Sequence, residues 1–534
     1  MKVVIAEKVS PAAVAIFREE PDWEIVTAEQ LDGKLSARLG DADALIVRSA
    51  VDVNAALLEQ APRLRVVGRA GVGVDNIDLD AATKRGIAVM NTPGANAVAV
   101  AEHTLGLMLG LARHLARADA SMRGGKWEKK SLEGTELRGK TLGIVGLGRI
   151  GIEVARRARA FQMEVVAHDP FIAVTVAREM GLRLAPLDEI FAAADYITLH
   201  VGLTQQTQGM INAGTLAQMK RGVRLINCAR GELVDEAALA EAIRSGQVAG
   251  AALDVFNEEP PKNSPLVGLG NVITTPHIAG STHEAQEAVA CQIAMQVREY
   301  LKRGVIQNAV NVPSVSHDEY VAMQPYIVLA ERLGALLAQV GEGQPQEISV
   351  RFSGAIAEWR TELMRNAAIM GVLNQAALSE RANLVNAATI AGERGVLVHE
   401  AAKSATPRGG AGNVVSVMLK AGGETRLAKG AVLHGNSPRL LSLDDIDIEA
   451  PLAANVIFLR NRDVPGVIGR VGTVLGELGV NIASFSLGRR ERAASSSAPA
   501  EAIALVQVDD AVPNEALERL RRIEAITVAR ALRL

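Results

Sequence analysis

The chain has 534 residues, more than one compact domain usually holds, so three or four folding units are expected. Its 57 basic and 60 acidic residues give a formal charge of −3 without any long basic run. This balance argues against nucleic acid or an anionic membrane surface as a partner. Two cysteines cannot form a disulfide framework, and the first residues lack the apolar stretch of a signal peptide. A soluble, cytoplasmic protein is predicted.

Short apolar runs alternate with helical patterns over residues 1–93. Strands are predicted at residues 3–6, 44–47, 66–69 and 88–90, with helices at residues 11–20 and 78–85. Such alternation is typical of βαβ units with parallel strands. One continuous apolar helix is then predicted over residues 97–122. No uninterrupted apolar run approaches the roughly 18 residues of a membrane-spanning segment.

A glycine motif follows the next predicted strand, at residues 142–145. Gly146, Gly148 and Gly151 form the pattern G-x-G-x-x-G, and a helical pattern over residues 150–161 comes directly after it. In a βαβ unit the first glycine allows a tight turn, the second lets the backbone approach a pyrophosphate, and the third lets helix and strand pack closely. The free N–H groups of the helix N-terminus then bind the phosphates. This segment predicts a dinucleotide site.

Asp169 ends the second predicted strand of this unit, 18 residues after Gly151. A carboxylate at this position accepts hydrogen bonds from ribose hydroxyls and repels a 2′-phosphate, so it favours NAD over NADP. Arg149, inside the glycine motif, either contacts the pyrophosphate or is a solvated residue of the first helical turn. No metal ion is predicted.

Polar groups follow several of the remaining predicted strands. These strands are at residues 196–200, 224–227, 250–254 and 272–274, and a helix is predicted over residues 281–303. Arg230, the acidic residues Asp254, Glu258 and Glu259, and His277 lie at or after the ends of three of them, where open parallel sheets bind ligands. Arginine can bind a carboxylate through two parallel hydrogen bonds, and histidine transfers protons near neutral pH. Each residue alone is as readily a surface or capping residue, but the set beside a cofactor motif indicates an active site.

The pattern changes after residue 312. Residues 314–449 carry helical patterns at 320–340 and 362–379, and strand-like patterns at 347–352 and 414–419. From residue 455 the order strand, helix, strand, strand, helix, strand predicts a ferredoxin-like βαββαβ unit. The loop at residues 489–501, rich in Ser and Ala, is predicted to be mobile.

Six motifs in the first 312 residues resemble the D-isomer-specific 2-hydroxyacid dehydrogenases, and within that family the long-form members that oxidise 3-phospho-D-glycerate. The motifs are GRAGVGVDNIDL, NTPGANAVAVAEHTL, GLGRIG with HDP, NCARGELVDE, ALDVFNEEPP and TPHIAGST. The later segment NRDVPGVIGRVGTVLGELGVNIASFSLGR resembles an ACT domain, a small amino-acid-sensing unit. The segment before it resembles the intervening domain of the long-form enzymes.

The resemblance implies an α/β fold with two doubly wound, Rossmann-like lobes, the cofactor lobe being inserted in the substrate lobe. The implied domains are a discontinuous substrate-binding domain (residues 1–96 and 281–312), an NAD-binding domain (residues 97–280), an α+β intervening domain (residues 313–450) and a ferredoxin-like ACT domain (residues 455–534). A homo-oligomer, dimer or tetramer, is also implied, with the helix at residues 97–122 in the dimer contact.

The resemblance also assigns residues. The implied catalytic set is Arg230, Glu259 and His277. The implied cofactor contacts are Gly146, Gly148, Arg149, Ile150, Gly151, Asp169, Cys228, Ala229, Asp254 and Gly280. Substrate phosphate is assigned to Arg48 and Arg69, while Lys129 either reaches a neighbouring subunit's site or is solvated. L-Serine is assigned to Asn461, Asp463 and Asn481, unless the ACT domain only assists oligomerisation.

These expectations describe the NAD-dependent oxidation of 3-phospho-D-glycerate to 3-phosphohydroxypyruvate, the first step of the phosphorylated route to L-serine, under regulation by serine. Two alternatives stay open. A dehydrogenase for another 2-hydroxy acid, such as glycerate or 2-hydroxyglutarate, would use the same lobes. A nucleotide-sensing interaction protein on the same scaffold would not need the Arg–Glu–His set.

Overall fold

The computed structural model of the chain describes residues 1–313, 315, 317–375, 381–404, 412–490 and 500–534. The end of the helix predicted over residues 362–379 and most of the predicted mobile loop at residues 489–501 lie outside the described residues.

A five-stranded parallel sheet is built from the first part of the chain. Its strands are β1 (Lys2–Ile5), β2 (Glu24–Val26), β3 (Ala44–Val47), β4 (Val66–Arg69) and β5 (Ala88–Met90), with helices α1 (Pro11–Arg18), α2 (Ala55–Glu59) and α3 (Leu79–Lys84). The spatial order is β2-β1-β3-β4-β5. Strand β2 was not predicted, because only three residues pair and just one of them is buried. The other four strands lie within one residue of their predicted positions.

The apolar segment at residues 97–122 forms two helices, α4 (Ala97–Ala112) and α5 (Leu115–Arg123). The break is at His114, which has a φ of 53° in the left-handed region. Residues with a Cβ atom adopt this conformation only at a steric cost, and no glycine or proline marks the position. The prediction of one continuous helix is therefore wrong, because the break depends on a left-handed conformation that the residue types at this position do not predict.

The cofactor lobe contains a seven-stranded parallel sheet. Its strands are β6 (Thr141–Val145), β7 (Glu164–His168), β8 (Arg183–Leu184), β9 (Tyr196–Leu199), β10 (Val223–Asn227), β11 (Val248–Leu253) and β12 (Val272–Thr274). The connecting helices include α6 (Arg149–Ala160), α7 (Val174–Glu179), α8 (Leu187–Ala193), α9 (Ala213–Gln218) and α10 (Glu236–Arg244). In the order β12-β11-β10-β9-β6-β7-β8, strand β6 lies between β7 and β9. The winding direction reverses there, so a crevice opens at its carboxyl end.

Helix α11 (His283–Arg303) returns the chain to the first sheet. Thr282 caps its N-terminus, and it ends at Gly304 in the left-handed conformation. Ile293 and Val297 of this helix are buried against Gly68 of β4, where a Cβ atom would lie 2.8 Å and 2.9 Å from their side chains. The seven-stranded sheet thus lies, in chain order, between two parts that share one core.

A third, mixed sheet follows. The elements are α12 (His317–Val340), β13 (Pro345–Ser353), α13 (Glu362–Leu373), α14 (Ala387–Glu393), β14 (Leu397–Lys403), β15 (Val414–Ala421), β16 (Glu424–Leu433), β17 (Ser437–Leu443) and β18 (Ile446–Pro451). The order is β14-β13-β15-β16-β17-β18. Strand β14 runs parallel to β13, and the other pairs are antiparallel. Helices lie beside an open sheet, as expected for an α+β unit.

Helix α12 is long and apolar enough to cross a membrane by composition alone, over Asp318–Val340. Its Leu329, Leu333 and Leu336 are fully buried in the same core as the third sheet. A side-chain row that packs against a sheet is the pattern of a core helix, and this packing accounts for its apolar composition.

The last unit has the predicted βαββαβ order. It consists of β19 (Asn455–Arg462), α15 (Val467–Glu477), β20 (Ile482–Arg489), β21 (Glu501–Val508), α16 (Asn514–Arg521) and β22 (Ile526–Arg533). The antiparallel order β20-β21-β19-β22 is that of a ferredoxin-like sheet. Gly488 of β20 contacts the third sheet, because a Cβ atom there would lie 2.5 Å from the carbonyl oxygen of Asp447. The predicted α/β fold class is confirmed.

Candidate active site

Residues that follow strands of both parallel sheets line one cavity of about 880 Å³. Arg48 and Arg69 come from the first sheet, and Arg230, Glu259 and His277 come from the second. Because parallel strands present their carboxyl ends at one edge, two such sheets facing each other bring distant segments into a single cleft. The structure therefore places the predicted catalytic set and the predicted phosphate-binding arginines in one cavity.

His277 and Glu259, which both line this cavity, are in direct polar contact. The Nδ1 atom of His277 lies 2.7 Å from Oε2 of Glu259. The other carboxylate oxygen of Glu259 accepts a hydrogen bond from the backbone N–H of Phe256 at 3.1 Å. Because Nδ1 is engaged by the carboxylate, Nε2 is the ring nitrogen available for proton transfer.

Asp254 holds the segment that carries His277. The backbone N–H of His277 donates to the Asp254 carbonyl oxygen at 2.8 Å. The N–H groups of Ile278 and Ala279 donate to the two carboxylate oxygens at 2.9 Å and 2.8 Å. His277 has a φ of 53°, a left-handed conformation that the surrounding contacts must stabilise. Asp254, predicted to contact the cofactor, thus anchors the loop of the predicted catalytic histidine.

The carboxylate of Asp254 is fully buried and remains ionised. Burial raises its pKa, but hydrogen bonds from His103 and Thr275 and from backbone N–H groups outweigh burial, and the resulting pKa is below the ordinary value. The Thr275 hydroxyl donates to Oδ1 at 2.6 Å, and His103 Nε2 lies 3.5 Å from the same oxygen. His103, on α4, had no predicted role.

Arg230 is held at the end of β10 by contacts from both lobes. Its Nε and Nη2 atoms lie 3.2 Å and 3.0 Å from Oδ2 of Asp75. Its Nη1 atom donates to the carbonyl oxygen of Ala229 at 2.7 Å. Asp75 was not predicted to be a site residue, although it lies in the motif GRAGVGVDNIDL.

Two further arginines bring positive charge to the cavity. Arg69 Nε is buried and has no hydrogen-bond partner among the described residues. Burial and the nearby charge of Arg230 lower the pKa of Arg69. Arg48 donates to Gln286 on α11 and to the carbonyl oxygen of Lys8. A cavity with three guanidinium groups suits a small ligand with more than one anionic group. Lys129 lies elsewhere, in an exposed turn.

The three glycines of the motif each occupy a position that fits a dinucleotide. Gly146 has a φ of 95°, and a Cβ atom there would lie 2.6 Å from the carbonyl oxygen of His200. A Cβ atom at Gly151 would lie 2.2 Å from the carbonyl oxygen of Gly146, so helix α6 can approach β6 only with glycine. Gly148 faces open space at the start of α6. The helix N-terminus is therefore accessible to a pyrophosphate.

Asp169 lies beside the glycine turn. Its Oδ2 atom accepts the N–H of Leu147 at 2.9 Å, and its Oδ1 atom accepts the N–H of Phe171 at 2.8 Å. These bonds hold a carboxylate where the ribose of a dinucleotide would lie. Arg149 instead donates to the carbonyl oxygen of Pro93 and is not among the residues that line the cavity. The residues present thus fit NAD.

The remaining predicted cofactor residues also line the cavity: Ile150, Cys228, Ala229 and Gly280. Burial raises the pKa of the Cys228 thiol to about 12, so this group stays protonated and is a poor nucleophile. His200, which was predicted only as the last residue of a strand, lines the same cavity. Burial lowers its pKa to about 4, and its Nδ1 atom has no hydrogen-bond partner among the described residues.

Two of the three predicted effector residues line a common cavity, and the third does not. Asn461 and Asp463 line a cavity of about 690 Å³ at the start of α15. Arg489 and Arg490 line it as well, and Arg489 lies 3.4 Å from Asp463. Asn481 lies outside this lining and donates to the carboxylate of Asp509 at 2.6 Å.

Three protein-family models match the chain. The NAD-binding domain of the D-isomer specific 2-hydroxyacid dehydrogenases matches residues 105–279. The D-3-phosphoglycerate dehydrogenase intervening domain matches residues 322–444. The ACT domain matches residues 455–525.

Individual proteins are similar over the same lengths. The D-3-phosphoglycerate dehydrogenase of Methanocaldococcus jannaschii is 40% identical over 527 residues, which cover 98% of this chain and 98% of the relative. The enzyme of the same name from Synechocystis is 40% identical over 536 residues, covering 100% and 95%. The solved D-lactate dehydrogenase from Aquifex aeolicus, complexed with NAD and lactic acid, covers 59% of this chain and 100% of its own, with 31% identity and a TM-score of 0.52. The chain belongs to the D-3-phosphoglycerate dehydrogenases, a branch of the D-isomer-specific 2-hydroxyacid dehydrogenase family.

Proposed function

We propose that this chain oxidises 3-phospho-D-glycerate to 3-phosphohydroxypyruvate with NAD, which is the first step of the phosphorylated route to L-serine. The single observation that carries the proposal is one cavity in which the His277–Glu259 pair lies with three arginines. The pair suits removal of a hydroxyl proton, and the arginines suit a substrate with a carboxylate at one end and a phosphate at the other. Relatives that match nearly the whole chain carry the corresponding name.

His277 acts as the general base in this proposal. Its Nε2 atom takes the proton of the C2 hydroxyl, and bound NAD would supply the acceptor for the hydride that leaves C2. The Glu259 carboxylate accepts a hydrogen bond from Nδ1–H, keeps the ring in the tautomer with Nε2 unprotonated, and stabilises the imidazolium that forms. Asp254 keeps His277 in place through the backbone N–H bonds described above.

The arginines divide the two anionic ends of the substrate between them. Arg230 follows β10 on the cofactor side of the cavity, so we assign it the substrate carboxylate and the carbonyl oxygen that forms at C2. Arg48 and Arg69 lie on the opposite side, and we assign them the phosphate. The unpartnered Nε atom of Arg69 supports this assignment, because a buried guanidinium nitrogen without an acceptor is suited to an incoming anion.

The predicted domain boundaries, a cytoplasmic location and a homo-oligomer belong to the same proposal. So does binding of L-serine by the ACT domain, which the cavity beside Asn461 and Asp463 supports. If serine binds there, a coupling free energy of about 1 to 3 kcal/mol to the substrate site would be ordinary for allosteric control. Bound substrate would then lower the affinity for serine by the same factor by which serine lowers the affinity for substrate.

A parallel assay of NAD reduction tests the proposed function. The purified chain is given 3-phospho-D-glycerate, D-glycerate or D-2-hydroxyglutarate at equal concentrations, with and without L-serine. We expect the highest kcat/KM with 3-phospho-D-glycerate. A higher value with either other acid would assign the chain to a different hydroxy acid, and no NAD reduction with any of them would leave only a nucleotide-binding role.

A further inference from the structure

The carboxylate of Asp75 occupies the edge of Arg230 that would bind a substrate carboxylate. A bidentate grip on a carboxylate uses two N–H groups on one side of the guanidinium. In Arg230 the Nε and Nη2 atoms are both within 3.2 Å of Asp75 Oδ2. The Nη1 atom is already used by the carbonyl oxygen of Ala229. Asp75 therefore stands where the proposed function requires the carboxylate of a hydroxy acid.

This ion pair joins the two lobes across the cleft. Asp75 lies in the loop after β4 of the first sheet, and Arg230 follows β10 of the second. The loop closes tightly around the pair at Gly73, where a Cβ atom would lie 2.0 Å from Arg230 Nη2 and 2.8 Å from Asp75 Oδ2. Any side chain at this position would displace the guanidinium, so the loop and the pair form a single arrangement.

The charges around the cavity also single out Asp75. Among the described residues that line it, the acidic ones are Asp75 and Glu259, and Glu259 is bound to His277. Within this lining, Asp75 is therefore the carboxylate that faces the guanidinium groups, and its negative charge acts on Arg69 as well as on Arg230, as does that of Glu7 on Arg69. The Asp75 side chain is 67% exposed, so its carboxylate stays hydrated when it leaves Arg230. Breaking such an exposed ion pair costs little free energy.

We propose that Asp75 is an internal competitor for the substrate carboxylate. It holds Arg230 in the binding orientation while the cleft is empty, and the carboxylate of the hydroxy acid displaces it. The inference rests on the proposed function of Arg230. Every ligand must replace an ion pair that already exists, so a carboxylate with no second anionic group binds weakly. A substrate that also engages Arg48 and Arg69 gains contacts that offset this replacement.

The direction of one affinity change tests the proposal. The NADH-loaded enzyme is titrated calorimetrically with oxamate, an unreactive analogue of a 2-oxo acid that carries a single carboxylate. In Asp75→Asn the dissociation constant should fall by about 2- to 5-fold, since an exposed ion pair of modest strength no longer competes. The KM values for 3-phospho-D-glycerate and D-glycerate should fall by a similar factor.

If Asp75 only orients Arg230, the same substitution must weaken the binding of oxamate and raise both KM values. A rise, or no change, overturns the proposal. Asp52→Asn removes the same charge from an exposed site in the same lobe and should leave oxamate binding as in the unmodified enzyme. Asp75→Ser provides a second variant, and unchanged NAD affinity shows that either variant is folded.

The two hypotheses fail in different ways. An enzyme that binds oxamate through Arg230, shown by loss of binding in Arg230→Gln, but does not oxidise 3-phospho-D-glycerate would refute the proposed substrate and leave the competitor role intact. An enzyme that oxidises 3-phospho-D-glycerate but binds oxamate more weakly in Asp75→Asn would refute the competitor role alone.

Discussion

The Nδ1 atom of His277 lies 2.7 Å from Oε2 of Glu259, although the two residues follow different strands. Strands β11 and β12 are neighbours and run parallel, with Leu253 opposite Thr274. Their carboxyl ends therefore release the Glu259 and His277 loops side by side. Replacing His277 by Ala should lower kcat by about 10² to 10⁴, the usual contribution of a positioned general base.

Steady-state kinetics measure that loss, and a fluorescence titration of NAD serves as its control. NAD affinity should change less than about 2-fold. The double variant His277→Ala, Glu259→Gln should have nearly the same kcat as His277→Ala, because Glu259 acts through the imidazole. A His277→Ala enzyme with unmodified turnover would remove this residue from the mechanism.

Arg48 should act on the phosphate end of the substrate. Replacing Arg48 by Gln is expected to raise the KM for 3-phospho-D-glycerate by about 10- to 100-fold, which corresponds to one or two charge-assisted hydrogen bonds. The KM for D-glycerate, which lacks the phosphate, should change far less. Lys34→Gln removes the same charge from an exposed position of that lobe and is the matched control. Equal losses for both substrates would contradict a phosphate contact.

Asp169 should determine the choice between NAD and NADP. Its carboxylate accepts two backbone N–H bonds, so Asp169→Asn keeps an acceptor for the turn while removing the charge. We expect kcat/KM with NADP to rise relative to that with NAD by about 10-fold, since the repulsion of a 2′-phosphate is lost. Measuring kcat/KM with both cofactors decides the matter, and an unchanged ratio would show that another group sets the preference.

His200 should make the protein less stable in mild acid. Its pKa in the folded chain is about 4, below its ordinary value of 6.5, so the unfolded chain binds more protons between these values. Neutral His200 contributes at most about 3 kcal/mol to the free energy of unfolding. This contribution is fully present above about pH 6.5 and is lost as the pH falls towards 4. Urea unfolding between pH 7 and pH 5 should show a flatter dependence in His200→Asn. Parallel curves for the two proteins would contradict the pKa of this residue.

The ACT domain should bind L-serine with an affinity that depends on Asp463. Calorimetry on the full chain is expected to show binding that Asp463→Ala weakens by at least about 10-fold, while kcat without serine stays the same. An absence of heat at millimolar serine would reduce the domain to a structural role. D-Serine provides the control for recognition by stereochemistry.

Most strands were predicted within about two residues, because buried strands are short apolar runs. Strands β2, β8, β14, β16, β17 and β18, several connecting helices and the break at His114 were not predicted. Strand β2 pairs through its backbone with little apolar pattern, and His114 adopts a left-handed conformation without a glycine. The catalytic set and the arginines were named in advance, whereas Asp75, His103 and His200 were not.

The sequence by itself determined the cofactor unit, since the constraints on Gly146, Gly151 and Asp169 arise within one βαβ segment and each residue type has a local reason. It also determined which groups follow strand ends. Only the tertiary structure decided which of those groups meet. The Asp75–Arg230 pair joins two lobes across a cleft, and Asp254 sustains the unusual backbone of His277. Contacts between segments far apart in the chain depend on how the sheets pack, and residue spacing does not encode that packing.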